Sequence, residues 1–316
     1  MDNKSHIRHE EENSAAFGDV IPAFLAPNYI KQQYYAQEEI ENPDTDREGN
    51  VEFLGEATQP KQRTDDALIR ERLYDAIEHN DIDVFIQPIV TLPQRKTKFY
   101  ELYGRLRIHA GVYLAAEDYL PLAANEPMIN HLDALLLSHC IKILSRQRRI
   151  NDHDIGYFIN VKPSTLRNRH FMYNLLKLLD YNRSIAHALI FEIDYNNFMM
   201  LSPGEQKIFK GLKDLGCRFS LDHVPEIPTD VKHLHQKQIN FVKIAAKTFL
   251  KSGHTDAGFS ENLSRKHNLE VNGTDIIVEK IENHRTLLQI LDYDIKYGQG
   301  FLFGKPDFQG VYTYGD

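Results

Sequence analysis

Tryptophan is missing from the 316 residues, cysteine occurs only twice, and positive charge is in the minority. Two cysteines, Cys140 and Cys217, are too few for a disulfide scaffold and fit a reducing, cytoplasmic setting. A formal charge of -8 excludes a chain built as one basic clamp, so neither DNA nor RNA is expected as a partner. No run of about eighteen uncharged apolar residues occurs, and no basic stretch followed by an apolar core opens the chain, so neither a membrane span nor a secretory leader is expected. Gly-x-Gly-x-x-Gly is absent as well, which counts against a dinucleotide-binding open sheet.

What is present divides unevenly. Residues 1 to 64 carry 13 Asp/Glu against 6 Lys/Arg, which accounts for nearly all the net charge. With four prolines and little periodicity, this segment reads as acidic and largely disordered, with two mixed apolar and aromatic stretches, 15–25 and 29–35, that could dock on the folded part or on a protein partner. At 65 the pattern changes. Asp65 or Asp66 is placed to cap a helix whose apolar positions Ile69, Leu73, Ala76 and Ile77 follow helical spacing, so residues 65–316 read as the folded domain.

Short apolar runs then alternate with amphipathic segments. Eight runs read as strands: 84–90, 98–108, 156–161, 188–193, 217–222, 239–244, 274–279 and 295–299. Eight strands with intervening helices over about 250 residues predict an α/β fold of the TIM-like (β/α)8 barrel type. Reacting groups in such barrels stand where strands end at the C-terminal face. Here the strand ends carry Glu101, Asn160, Glu192, Asp222, Lys243, Glu279 and Gln299. Carboxylates and a carboxamide on one rim suit a hard divalent cation, and a lysine beside them suits phosphate binding or proton transfer. The same residue types also serve as helix caps or surface charges, so spacing alone leaves both readings open.

The sequence motifs go further. Phe85-Ile86-Gln87-Pro88-Ile89-Val90, Tyr100-Glu101-Leu102-Tyr103-Gly104-Arg105, Ile159-Asn160-Val161, Phe191-Glu192-Ile193, Ser220-Leu221-Asp222-His223, Phe241-Val242-Lys243-Ile244, Val278-Glu279-Lys280-Ile281-Glu282 and residues 299–306 (QGFLFGKP) occur in that order. Together, over about residues 66 to 308, they resemble the EAL family, whose members bind and usually hydrolyse cyclic di-GMP. The resemblance implies a barrel with one antiparallel strand. It implies Glu101, Asn160, Glu192 and Asp222 as ligands of a first Mg2+ or Mn2+, and Lys243 and Glu279 as the catalytic pair that positions or activates water. It also implies that Arg105 pairs with a phosphate, that Gln299 and Glu282 complete the shell, and that Gln87 and Pro306 border the bases.

Departures from the family pattern cluster at the second cation site. His223 stands where the family has the second Asp of an Asp-Asp pair, which removes an anionic oxygen. The glycine-rich loop after that pair reads Val224-Pro225-Glu226-Ile227, which also weakens the expectation of the family's dimer and favours a monomer. Lys280 replaces a glycine beside Glu279, where it either brings a cation toward the ligand or points to solvent. Tyr103 replaces the signature leucine and either stacks on a guanine or packs beneath the rim. The pattern resembles degenerate EAL proteins that act as effectors, TipF-like factors of flagellar assembly among them. The expected function is a cyclic di-GMP receptor with one retained cation site; a metal-selective phosphodiesterase yielding pGpG and a ligand-free scaffold are the alternatives. His233 and His235, two residues apart on a predicted surface helix, point in different directions and read as structural.

Overall fold

The computed structural model describes residues 60–79, 82–109, 112–122, 126–147, 155–251, 253 and 255–308. The candidate docking stretches at 15–25 and 29–35, with most of the acidic segment 1–64, lie outside the described residues. Two compact units divide the chain: one takes Met1–Val84, Tyr103–His139 and Gln309–Asp316, the other Phe85–Leu102 and Cys140–Phe308.

In the first unit, helix α1 (Pro60–His79) starts ahead of the expected Asp65 or Asp66 cap. Proline fixes φ near its helical value and needs no hydrogen-bonded N–H, so it serves as a first helical residue. Strand β1 spans Asp83–Thr91 and β2 spans Thr97–His109. The end of β2 turns back on β3 (Val112–Leu114), a hairpin strand that three residues of pattern do not announce, with an irregular register between Arg107 and His109. Helices α2 (Ala116–Tyr119) and α3 (Glu126–Gln147) follow. Leu73, Ala76, Ile82, Leu106 and Leu132 share one buried cluster. Asp83, almost fully buried, accepts two hydrogen bonds from Arg107, at 2.7 Å from Nε and 2.6 Å from Nη2. This bidentate geometry lets a buried carboxylate keep its charge.

The second unit holds the barrel strands β4 (Gly156–Asn160), β5 (Leu189–Asp194), β6 (Arg218–Asp222), β7 (Phe241–Ala245), β8 (Asp275–Glu279) and β9 (Tyr297–Gln299). The strand order β1-β9-β8-β7-β6-β5-β4-β2 closes through the pairing of β1 with β2. All neighbours from β2 to β9 are parallel, while β1 pairs antiparallel with β9, so the barrel has the one reversed strand that the family resemblance implies. A short β10 (Asp307–Phe308), not expected from the pattern, adds to β1. Helices α4 (Pro163–Arg167), α5 (Arg169–Tyr181), α6 (Arg183–Ala188), α7 (Tyr195–Met199), α8 (Pro203–Asp214), α9 (Val231–Gln236), α10 (Ala246–Lys251), α11 (Asp256–Val271) and α12 (His284–Leu291) connect the strands. Both cysteines are free, buried thiols.

Inside the barrel, Ile89, Phe99, Phe158, Ile190, Phe241 and Ile277 form one buried layer with Tyr297 against it. Phe99 meets Phe158, Phe241 and Tyr297 edge to face at centroid distances of 5.5, 5.3 and 5.2 Å. The Arg218 guanidinium lies over Phe99 and Phe241 at 5.4 and 5.8 Å, where aromatic faces offset part of its lost hydration. The barrel interior is therefore a packed floor and not a channel.

The chain after β9 is anchored through backbone. Ile281 donates its N–H to the Gln299 carbonyl at 3.0 Å, and Leu302 donates to the Ile281 carbonyl at 3.1 Å. Gly300, at φ +154°, passes so close to Ile281 that a β-carbon would collide with that residue's carbonyl oxygen and amide nitrogen. Gly300→Ala is therefore expected to cost at least about 2 kcal/mol, measured as a lower urea midpoint, because backbone cannot yield as a flexible side chain does. An unchanged midpoint would show that this crossing is not tight.

Candidate active site

Strand alternation builds the site. Side chains two residues apart face the same side, so each inward floor residue places another inward residue one layer higher. Phe99 is followed by Glu101, Phe158 by Asn160, Ile190 by Glu192, Phe241 by Lys243, Ile277 by Glu279 and Tyr297 by Gln299. On the reversed β1 the order inverts, and Gln87 precedes Ile89. Polar groups contributed by most of the strands thus stand above a dry aromatic and aliphatic layer.

Lys243 is the centre of this layer. Its ammonium, only 1% exposed, donates to Glu101 Oε2 at 2.5 Å and to Glu192 Oε1 at 3.1 Å. Gln299 Nε2 donates to the same Glu101 oxygen at 2.7 Å and to Gln87 Oε1 at 3.1 Å, and Gln87 Nε2 reaches the Gly304 carbonyl at 2.9 Å. Asn160 Nδ2 lies 3.4 Å from Glu101 Oε1. Burial pushes the Glu192 carboxyl well above the ordinary range, and the nearby Glu101 and Asp222 charges add to this against the opposing pull of Lys243. Burial likewise raises Glu279, with Asp222 and Glu101 adding to it and Lys243 and Lys280 opposing. One buried ammonium does not balance this set of carboxylates.

At the next strand end, Asp222 is flanked by His223. Oδ1 accepts the backbone N–H of His223 at 2.8 Å, and Oδ2 lies 3.1 Å from His223 Nδ1. The same ring nitrogen is 3.7 Å from Asp194 Oδ2. Asp194 sits opposite Asp222 in the β5–β6 register. It is absent from the sequence-derived site, although its position one residue past the strand's last apolar residue was the available signal. Ser220, one layer below Asp222, was also missed; its fully buried hydroxyl has no hydrogen-bond partner among the described residues.

His223 and Lys280 share a backbone feature: each follows a strand-terminal carboxylate and each adopts a left-handed conformation, at φ +53° and +59°. Lys280 is mostly exposed, yet its Nζ lies 3.4 Å from Glu279 Oε1, so it combines the two orientations left open by the sequence. The loop after His223 is fastened at several points. Val224 and Ile227 are buried, Val224 N–H donates to the Lys243 carbonyl at 3.2 Å, and Arg265 reaches both Glu226 and the Ile227 carbonyl.

The remaining candidates are placed as follows. Pro306 is half-buried in the segment before β10, and Glu282 is exposed with no side-chain hydrogen bond or ion pair among the described residues. Tyr103 and Arg105 belong to the first unit, where the Arg105 guanidinium lies 5.4 Å above the Tyr103 ring. His233 packs edge-on to Phe198, whereas His235 Nδ1 lies 2.9 Å from the Asn272 carbonyl. Among the described residues no three His, Cys, Asp or Glu side chains form a metal shell. Fit to a cation is therefore a question of donor chemistry. Glu101, Asn160, Glu192 and Asp222 supply hard oxygens, and Glu192 Oε2 accepts no hydrogen bond; its nearest cation is the Lys243 ammonium, 3.0 Å away. A layer in which carboxylates outnumber the buried ammonium is chemically suited to a divalent ion.

The model of the EAL domain matches residues 70–306. The chain belongs to the EAL domain family. It is 22% identical over 258 residues to the cyclic di-GMP phosphodiesterase PdeF of Escherichia coli (strain K12), covering 81% of this chain and 34% of that protein. Cyclic di-GMP phosphodiesterase PdeA of Borreliella burgdorferi is 23% identical over 233 residues, covering 73% of this chain and again 34% of the relative. The chain thus spans about a third of the length of these curated relatives. Among solved structures, the Xanthomonas citri FimX EAL domain in complex with c-diGMP superposes with a TM-score of 0.65 at 12% identity, covering 82% of this chain and 99% of that one. The PaMucR phosphodiesterase in complex with c-di-GMP gives 0.65 at 17% identity, covering 76% and 97%. These likenesses establish the EAL barrel fold.

In this EAL domain Lys243 carries a structural duty that can be measured. Removing its charge leaves Glu101 and Glu192 facing each other in a buried layer, a change that costs about 3 kcal/mol when one partner of a buried pair is lost. Lys243→Met is expected to lower urea stability by that amount, and adding Glu192→Gln should recover at least about 1 kcal/mol of it. Equal stability of the parent and Lys243→Met would mean that solvent reaches the layer.

Proposed function

We propose that this EAL domain is a cyclic di-GMP receptor with little or no hydrolysis. The observation that carries the reading is what stands beside Asp222: His223, whose backbone N–H donates to Oδ1 and whose Nδ1 lies 3.1 Å from Oδ2. Two divalent cations held close together repel strongly and need bridging anionic oxygens between them. Here the residue after Asp222 is an imidazole instead of a carboxylate, so it brings no anionic oxygen to bridge a second ion.

Glu101, Asn160, Glu192 and Asp222 would hold one Mg2+ or Mn2+, which would supply positive charge to a phosphate oxygen of the ligand. The other roles belong to the chain itself. Lys243 fixes the orientation of Glu101 and Glu192. Gln299 and Gln87 form a hydrogen-bonded chain to Gly304, which orders the wall on which a base would rest. Lys280, at the rim beside Glu279, offers a mobile ammonium to the ligand's phosphates. Binding and turnover then separate, because interactions that hold the ground state without strengthening in the transition state do not accelerate a reaction.

Hydrolysis to pGpG is the second reading, favoured by the retention of Lys243 and Glu279 in one layer. One assay decides between them: purified protein, labelled cyclic di-GMP and either Mg2+ or Mn2+, with bound and cleaved fractions measured together. Saturable binding without pGpG is expected, and His223→Asp should raise cleavage at least tenfold by restoring an anionic oxygen. Multiple turnovers by the parent chain would establish the enzyme, and absent binding would leave a protein-interaction role.

A further inference from the structure

A cavity of about 500 Å3 lies on the outer face of the barrel, between α7, α8 and α9. It involves none of the strand-end residues described above. That volume is in the range of small-molecule sites. Its apolar wall is built by Phe198, Leu201 and Phe209, with Phe198 and Phe209 at a ring distance of 5.8 Å. Around this wall stand Lys207, Lys210, Lys213 and Lys237, with Asp214 as the one carboxylate of the lining.

The four ammonium groups are not equally engaged. Lys210 pairs with Asp214 at 2.8 Å, and Lys237 donates to Gln206 Oε1 at 2.9 Å. Lys207 and Lys213 have no ion-pair partner among the described residues. Lys213 is half-buried and lies over the faces of Phe209 and Phe219, at 4.6 and 5.6 Å. Burial, with the repulsion of Lys237 behind it, lowers its ammonium to about 8. A cation so placed gains from an anion, and its position at the edge of an aromatic wall sets the anion next to an apolar body.

We propose that this cavity binds a small organic anion: an aromatic or branched apolar body that lies on Phe198, Leu201 and Phe209, with one acidic head group held by Lys213 and Lys207. The pairing follows the division of the lining into an apolar wall and a cationic edge. Inorganic phosphate, which has no apolar body, occupies only half of such a site.

The probe is 8-anilinonaphthalene-1-sulfonate, titrated by fluorescence into the full chain under native conditions. One saturable site is expected. Lys213→Met, which keeps the apolar stem, should weaken binding at least fivefold. Met199→Glu tests the charge argument at a position 54% exposed, where a substitution leaves the fold intact; it should weaken binding at least threefold. N-phenyl-1-naphthylamine, the analogue without the sulfonate, should bind at least fivefold more weakly, and millimolar inorganic phosphate should leave the probe in place. The proposal is overturned if neither variant alters the dissociation constant, if the neutral analogue binds as well, or if cyclic di-GMP displaces the probe mole for mole, which would locate it at the barrel mouth.

Discussion

A lysine ammonium buried between two glutamates sets the terms for the whole barrel. Burying one charge without a partner is prohibitive, and burying three requires that they meet in good geometry. Lys243 comes from β7, Glu101 from β2 and Glu192 from β5, so their meeting holds only when three strands keep their registers. A one-residue slip would send each side chain to the opposite face and bring an apolar residue inward. Gln299 and Gln87 extend the same demand to β9 and the reversed strand β1. The polar layer therefore specifies the fold as strictly as the floor stabilises it.

The floor and the polar layer are physically coupled. Phe99, Phe158, Phe241 and Tyr297 exclude water from beneath the carboxylates, and low polarizability there strengthens each charge interaction above. The same desolvation makes ionised carboxylates costly, which is why Glu192 and Glu279 both titrate upward. A site in this state has two ways to lower its energy: take up protons, or take up a cation. Either response follows from a layer in which carboxylates outnumber buried ammonium groups. Arg218, although cationic, faces aromatic rings one level lower and does not balance the carboxylates.

Much of this was legible in the sequence because alternation by two and polar strand ends are local signals. The eight runs locate the barrel strands to within a few residues, and Asn160, Glu192, Lys243, Glu279 and Gln299 stand at or within two residues of their ends, whereas Glu101 and Gln87 lie mid-strand in β2 and β1. What was not legible depends on contacts between distant segments. The burial of Val224 and Ile227 and the clasp of Arg265 convert an apparently plain loop into a fixed one, yet Arg265 lies 38 residues beyond Ile227. The start of α1 at Pro60 and the three-residue β3 are weak local signals that neighbouring structure decides. Asp194 carried the local signal of a polar strand end, but its relation to His223 depends on its position opposite Asp222 and needed the register. The cavity between α7, α8 and α9 takes three of its four lysines from α8, but the apolar wall beside them comes together only in the fold.

The two left-handed residues at the rim carry the argument one step further. A non-glycine residue in that conformation costs about 1 kcal/mol or more, and such strain persists where the surroundings impose it or where the side chain has a task. At Lys280 the family pattern has glycine, for which the conformation is free, so the lysine adds strain without gaining backbone geometry. At His223 the strain is partly offset, because its N–H is satisfied by the carboxylate it follows. In both places the strained residue brings a nitrogen-bearing side chain beside a strand-end carboxylate, His223 to Asp222 and Lys280 to Glu279. Arg95, Gln238 and Asp294 adopt the same conformation elsewhere, so the strain alone does not mark the rim; the contact that each of the two side chains makes there does. Of the two, Lys280 brings a positive charge to its carboxylate and His223 only a ring nitrogen, and both support the proposed reading of a rim that lacks the anionic oxygen to seat a second ion.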